Sequence, residues 1–219
     1  MSILEKDTNK GKEMLDYLYG QCLNGIPRIS KPVEELALDY TNKYGYSDEA
    51  IAKLIKNQIS KNTINGFVTS FGGFTTMAVT LPANITSVIY VQMRMIAAIA
   101  IIRGYDLHDD EVQTFVYSCL VGKSAADVFK NAGVNFGNKI GKSMINKIPG
   151  KTLTKINQKI GFRFVTRGGT KGIINLGKAV PVVGAGIGSA MDYTTTRIIA
   201  NRAQKFFQFD GIDFSSLKK

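Results

Sequence analysis

One uncharged stretch constrains this sequence more than any other feature. Residues 62–93 contain no Asp, Glu, Lys or Arg, and Arg94 alone separates them from a further apolar run over 95–102. Because Pro82 interrupts helical periodicity, the pattern predicts a helical hairpin with arms over 64–80 and 83–103. Each arm is long enough to cross a bilayer at about 1.5 Å per residue. Such a hairpin lies either at the centre of a domain or in lipid.

Polar residues within the hairpin favour the first alternative. Thr, Ser and Asn recur in the first arm, and Gln92 and Arg94 occupy the middle of the second. An Arg at the centre of a membrane-spanning helix costs about 2.5–3.5 kcal/mol. We therefore expect a buried core hairpin, and insertion into a membrane in a second state stays open. A buried polar cluster is expected, with an acid pairing Arg94 or Arg197, and its candidate members are Gln92, Arg94, Arg197, Asp127 and Asp192.

The flanking segments are also helical by periodicity. Amphipathic helices are predicted over 10–24, from a cap at Ser30 through Pro32 to Tyr44, and from Ser47 onward, and a core helix is predicted over 111–130. The predicted organisation is N-terminal amphipathic helices over 1–60, a helical core over 61–209 and a loosely held tail over 210–219, within one domain. The fold class is all-α, a helical bundle around the Gly-rich hairpin. A shared R-x-I-A-x-x-A pattern at 94–100 and 197–203 suggests a degenerate duplication of a hairpin.

Small residues mark turns and close packing. Gly133, Gly137 and Gly141 recur every four residues, which on a helix would let a neighbouring backbone approach closely. A flexible segment is the alternative, because glycine costs about 1 kcal/mol relative to alanine in a helix. Further positions are assigned to the hairpin or to a second uncharged run over 179–191: Gly72, Gly73, Pro82, Pro181, Gly184 and Gly188.

The positive charge is concentrated in the second half of the chain. The formal net charge is +11, and residues 120–219 contain 17 Lys and Arg against 4 Asp and Glu. Cations recur at every fourth position over 147–171, which on a helix forms a basic face opposite apolar residues. A helix of this kind is typical of interfacial binding to anionic lipid. Phosphate tracking on nucleic acid and a merely solvated surface are the alternatives. The residues are Lys147, Lys151, Lys155, Lys159, Arg163, Arg167 and Lys171.

The sequence contains no pattern that requires catalysis, a metal or a cofactor. Gly122-Lys123-Ser124 and Gly141-Lys142-Ser143 resemble the end of a phosphate-binding loop, but the preceding glycine is missing in both. His108 is the single histidine and has no Cys or His at metal-ligand spacing, so helix capping accounts for its acidic neighbours. The two cysteines, Cys22 and Cys119, lie among apolar residues, which favours a reduced compartment. No basic segment followed by an apolar one begins the chain, so a cytoplasmic location is expected.

Several motifs together resemble the EcsC protein family. They are Gly66-Phe-Val-Thr-Ser-Phe-Gly-Gly73, Leu81-Pro82-Ala83-Asn84, Gln92-Met-Arg94, Gly104-Tyr-Asp-Leu107 and the run over 178–188. The resemblance extends over about residues 50–207. Asn84 stands where the family often has Asp, which argues against a carboxylate role there. The resemblance implies an all-α protein that is cytoplasmic or peripheral to a membrane and has no established catalytic activity.

Three classes of function follow. The first is a non-enzymatic protein that acts at or near the cytoplasmic membrane through a basic amphipathic surface, with anionic lipid as its partner. The second is a membrane-permeabilising effector or toxin whose hairpin (64–102) inserts. The third is an enzyme with an unrecognised site. A protein partner or a homo-oligomer is compatible with the first class, whereas the scarcity of base-reading side chains argues against nucleic acid.

Overall fold

The computed structural model describes residues 3–60, 83–134, 137, 139–168 and 188–217. Their helices are α1 Ile3–Asn24, α2 Val33–Tyr44, α3 Asp48–Ser60, α4 Ala83–Ile102, α5 Asp110–Val121, α6 Lys123–Asn131, α7 Lys142–Ile145, α8 Gly150–Gly168 and α9 Gly188–Phe206. Their strands are β1 Lys139–Gly141, β2 Phe207–Gln208 and β3 Gly211–Asp213, followed by a 3-10 turn over Phe214–Leu217. The predicted all-α bundle is confirmed.

Helix α4 is the centre of the bundle. Every residue from Ile89 to Ala100 is buried, and α4 contacts α1, α2, α3, α5 and α9. A helix that is apolar on all sides is stable only when other elements cover all of its sides. The second arm of the predicted hairpin is therefore core. The first arm, with Gly72, Gly73 and Pro82, lies outside the described residues, as do Pro181 and Gly184. Within the described part of the chain, no helix combines the length and apolar character needed to cross a membrane.

The N-terminal helices belong to the same core. Buried residues of α1, α2 and α3 join a single cluster with those of α4 and α5. The start of α3 follows from capping, because Ser47 Oγ accepts a hydrogen bond from the Ala50 N–H at 3.2 Å. The chain between α1 and α2 is held by Ser30, whose hydroxyl accepts the Ile26 N–H and is hydrogen-bonded to the Tyr90 hydroxyl at 2.7 Å.

The three glycines predicted to form a packing stripe on one helix do not lie on a helix, and one of them, Gly141, lies in a small antiparallel sheet. Strand β3 lies between β1 and β2, and Gly141 pairs with Gly211. Gly133 has φ +80° just after α6, and Gly137 is exposed with no neighbouring atom where its Cβ would lie. The three glycines therefore do not share a helix face, and that prediction is wrong. The sequence around Gly141 does not reveal this structure, because β1 forms by pairing with β3, a strand about 70 residues later in the chain.

Two further predictions are wrong for identifiable reasons. The helix expected over 111–130 is divided at Gly122, which has φ +67° and whose N–H donates to the Ser118 carbonyl oxygen at the end of α5.

The expected loose tail is instead packed, since Ile212 and Phe214 are buried. Phe214 contacts three aromatic rings of the core edge to face, with centroids 5.3–6.0 Å apart. Aromatic pairs in this arrangement add stability beyond the area that they bury.

Candidate anion-binding surface

Four exposed lysines on and just before α8 form the feature that we call the lysine ridge: Lys147, Lys151, Lys155 and Lys159. On α8, successive members are about 6 Å apart along the axis and rotated by about 40°. Lys151, Lys155 and Lys159 therefore lie within about 80° of one another and face the same side. Arg163 follows and is half-buried. Arg167 lies in the last turn of α8, and Lys171 lies outside the described residues.

Acidic residues are absent from the sequence around the lysine ridge. Among the residues that the structure describes, none of its four ammonium groups lies within ion-pair distance of a carboxylate. The sequence accounts for this, because residues 128–191 contain no Asp or Glu and eleven Lys and Arg. Among the described residues, the positive charges of these lysines are therefore not offset by an ion pair.

Three apolar side chains of α8 are buried inside the protein. Leu153, Ile156 and Ile160 are buried, and α8 packs mainly against α1. The crossing is so close that a Cβ added at Gly161 would lie 2.4 Å from the Lys12 backbone nitrogen, and one at Gly11 would lie 2.1 Å from the Gly161 carbonyl oxygen. Interfacial insertion of this apolar face would require α8 to separate from α1. In the folded protein, Lys151, Lys155 and Lys159 lie on the exposed side of α8.

Two other basic residues near the start of α8 have structural roles. Lys142 donates hydrogen bonds to the carbonyl oxygens of Arg103 and Gly104 at the end of α4, at 2.7 and 3.1 Å. Partial burial lowers the pKa of Lys142. Lys139 donates to Asp210 at 2.6 Å, and this hydrogen bond lowers the pKa of the Asp210 carboxyl group. These contacts satisfy the last carbonyl groups of α4 and join β1 to the β2–β3 turn.

A groove between α6 and α8 borders the lysine ridge. It has a volume of about 320 Å³ and is lined by Val128, Asn131, Lys159, Phe162 and Arg163. A larger and more open depression of about 440 Å³ lies over the α1–α2 connection, residues 24–32. Neither is lined by a His, Cys, Asp or Glu side chain.

The predicted buried polar cluster is divided between two environments. Gln92 and Arg94 are buried, with 5% and 7% of their surfaces exposed. They lie two positions apart on α4 and therefore point to opposite sides. Arg94 Nη2 donates to the Lys31 carbonyl oxygen at 2.6 Å. Within the described part of the chain, Arg94 Nε and Gln92 Nε2 have no hydrogen-bond partner.

The acid expected to pair Arg94 is not found among the described positions. Asp127 and Arg197 are both exposed, so assigning them to a buried cluster is wrong. The inward positions of α9 are instead taken by Thr196, Ile199 and Ala200. Asp192 lies on α9, which begins at Gly188. Because Arg94 is buried and Arg197 is exposed, the two R-x-I-A-x-x-A segments have different environments, and the duplication stays a prediction.

Two arginines with structural roles were missed by sequence reasoning. Arg103 is buried, pairs with Asp48 at the start of α3, and lies over the Phe209 ring at 4.3 Å. Arg202 donates to the Cys119 carbonyl oxygen at 3.0 Å and fills the space beside Gly122. Burial lowers the pKa of Arg202. Each partner is more than 50 residues away in sequence, so no local pattern marks these contacts.

The structure describes the environment of both cysteines and of the single histidine. Cys22 and Cys119 are buried, and burial raises the pKa of both thiols, which disfavours the reactive thiolate. His108 lies 3.5 Å from Glu34 at the surface. In the described ranges, no group of three His, Cys, Asp or Glu side chains is placed to hold a metal ion.

Comparison with known proteins identifies the family. No curated protein and no solved structure matches the chain. The EcsC protein family matches residues 45–209, a range that begins just before α3 and includes the lysine ridge, the small sheet up to β2 and the whole of α9. The match covers most of the sequence and agrees with the motifs around Gln92, Arg94 and Gly104, so the chain belongs to the EcsC protein family.

Proposed function

We propose that this protein acts at an anionic membrane surface, to which it binds peripherally through the lysine ridge. The observation that carries the proposal is the row of four exposed lysines without ion-pair partners among the described residues. A flat, negatively charged surface can approach several of these lysines at once, because Lys151, Lys155 and Lys159 lie on one side of α8. The buried apolar face of α8 makes this an electrostatic contact between folded protein and headgroups.

The expected strength follows from the number of charges. Each Lys near an anionic membrane contributes about 1 kcal/mol, so four contribute about 4 kcal/mol. This corresponds to roughly a thousandfold preference over a neutral surface. The Debye length falls from about 8 Å at 0.15 M salt to about 3 Å at 1 M, so we expect high salt to abolish the binding.

The test is flotation of purified protein with vesicles of phosphatidylcholine alone and of phosphatidylcholine with phosphatidylglycerol, at low and high salt. The test variant changes Lys147, Lys151 and Lys155 to Gln. The matched control changes three exposed lysines elsewhere, Lys43, Lys53 and Lys205, to Gln. Both variants lower the formal net charge from +11 to +8 (11 − 3), so overall charge is held constant between them.

We expect the ridge variant to lose about a hundredfold in affinity for the anionic vesicles, from three contributions of about 1 kcal/mol each. The control should lose much less. Equal losses would show that net charge, and not this surface, governs binding. A dye enclosed in the same vesicles distinguishes the alternative effector function, because insertion of the 64–102 hairpin would release dye and peripheral binding would not.

A further inference from the structure

The turn that leads into α8 combines an exposed apolar side chain with the first lysines of the ridge. We call residues 143–151 the α7–α8 corner. Met144 is 52% exposed, and Lys147 and Lys151 on either side of the following turn are also exposed. Single exposed apolar residues are common and need no explanation by themselves. The sequence neighbours of Met144, however, differ from those of two other exposed apolar residues, Leu38 and Phe209.

The difference lies in the neighbouring charges. Leu38 lies close in sequence to Glu34, Glu35 and Asp39, and Phe209 precedes Asp210. Acids at these positions would repel an anionic surface. Met144 lies within the acid-free range 128–191. It is also the most exposed large apolar side chain among the described residues of this basic half.

The corner is held rigidly against the core. Ile145 and Ile148 are buried, which fixes the turn from beneath. The Lys147 N–H donates to the Met144 carbonyl oxygen at 3.2 Å, and the Thr152 N–H donates to the Pro149 carbonyl oxygen at 2.8 Å. Met144 is therefore presented on a fixed turn, and its insertion requires no unfolding. Presenting an anchor in a fixed position reduces the entropy lost on binding.

We propose that Met144 enters the boundary between headgroups and acyl chains of an anionic bilayer, while Lys147 and Lys151 contact lipid phosphates beside it. This inference rests on the peripheral binding proposed above and specifies which end of the lysine ridge contacts the membrane. A methionine suits this role, because its unbranched and polarisable side chain adapts to irregular apolar surroundings.

The chain contains no Trp, which makes the test direct. Three single-tryptophan proteins are compared: Met144→Trp, and the controls Leu38→Trp and Ile198→Trp, at side chains of similar exposure, 46% and 49%. Each is mixed with phosphatidylcholine–phosphatidylglycerol vesicles whose acyl chains carry bromine, which quenches nearby indole fluorescence. We expect a blue shift and quenching at position 144, and neither at 38 or 198. A Met144→Gln variant of the same net charge should bind these vesicles about fivefold to tenfold more weakly, because half of an apolar side chain is removed from the contact.

The outcomes separate the two proposals. If the proteins float with anionic vesicles but the tryptophan at 144 is neither shifted nor quenched, the anchoring role of Met144 is refuted and peripheral binding stands. Quenching at 198 in place of 144 would likewise overturn the anchoring role and reassign the contacting surface. Absence of flotation for all three proteins would refute both proposals.

Discussion

The crossing of α1 and α8, where two glycines bring the backbones together, gives a sharp test of the fold. At the crossing of α1 and α8, a Cβ added to Gly161 would lie 2.4 Å from the Lys12 backbone nitrogen and 2.6 Å from the Gly11 carbonyl carbon. Ordinary contacts of a Cβ begin at 3.4 Å, so Gly161→Ala requires the two backbones to separate by about 1 Å (3.4 − 2.4). Backbone atoms of two packed helices cannot give way as a flexible side chain does.

The cost of this change can be estimated. Overpacking of a core costs about 1–3 kcal/mol, and the favourable helix propensity of alanine offsets about 1 kcal/mol of it. The separation also loosens the packing of α1 against α8. We therefore expect Gly161→Ala to lower the free energy of unfolding by about 1–2 kcal/mol. For a chain of this size, this lowers Tm by about 2–8 °C.

Gly20→Ala is the matched control for that experiment. Gly20 lies on the same helix α1, and no atom lies within 4 Å of the position its Cβ would take. This variant should be as stable as the parent or gain up to about 1 kcal/mol. Urea unfolding followed by circular dichroism measures both. Equal stability of the two variants would refute the backbone contact between α1 and α8.

Three further predictions concern buried polar groups. Burial raises the pKa of Tyr90 to about 12. Because the unfolded chain loses this proton at a lower pH than the folded protein, the stabilisation from the protonated Tyr90 is complete below pH 10 and is lost as the pH rises towards 12. The free energy of unfolding of the parent should therefore fall more steeply with pH, between pH 10 and 12, than that of Tyr90→Phe. Parallel curves for the two proteins would contradict the raised pKa of Tyr90. The hydroxyl group of the buried Tyr117 donates to the Asp16 carboxylate at 2.9 Å, so Tyr117→Phe should cost about 1.5–3 kcal/mol in urea unfolding, and a neutral result would argue against this bond. Arg94→Leu removes the donor to the Lys31 carbonyl oxygen and should cost about 1–3 kcal/mol in the same assay, whereas unchanged stability would show that Arg94 is not needed in the core.

Local patterns in the sequence are sufficient to predict the positions of most helices. The C-terminus of α2 and the position of α4 follow from helical periodicity and from Pro82, signals contained within a few residues. The N-cap of α2 is Pro32, two residues after the predicted Ser30. The exposure of the lysine ridge follows in the same way, because a four-residue repeat keeps Lys151, Lys155 and Lys159 on one side of a helix whose other side is apolar.

What sequence reasoning missed depends on contacts between distant residues. Gly141 has the spacing of a helical packing position, but its pairing with Gly211 places it in a strand. Gly11 and Gly161 carry no local signal, since their importance comes from one helix crossing the other 150 residues later. Charge pairing predicts Asp127 and Arg197 in the core, but both residues lie on the exposed sides of their helices. In each case tertiary packing decided between alternatives that were locally equivalent.

The most direct test of the membrane-binding account is the ratio of two affinities for phosphatidylcholine–phosphatidylglycerol vesicles at low salt. One belongs to the variant with Lys147, Lys151 and Lys155 changed to Gln, and the other to the control with Lys43, Lys53 and Lys205 changed to Gln. The account predicts that the ridge variant binds far more weakly than the control, although both carry a formal net charge of +8 (11 − 3). Equal binding of the two variants, or no binding by the parent protein, would contradict it.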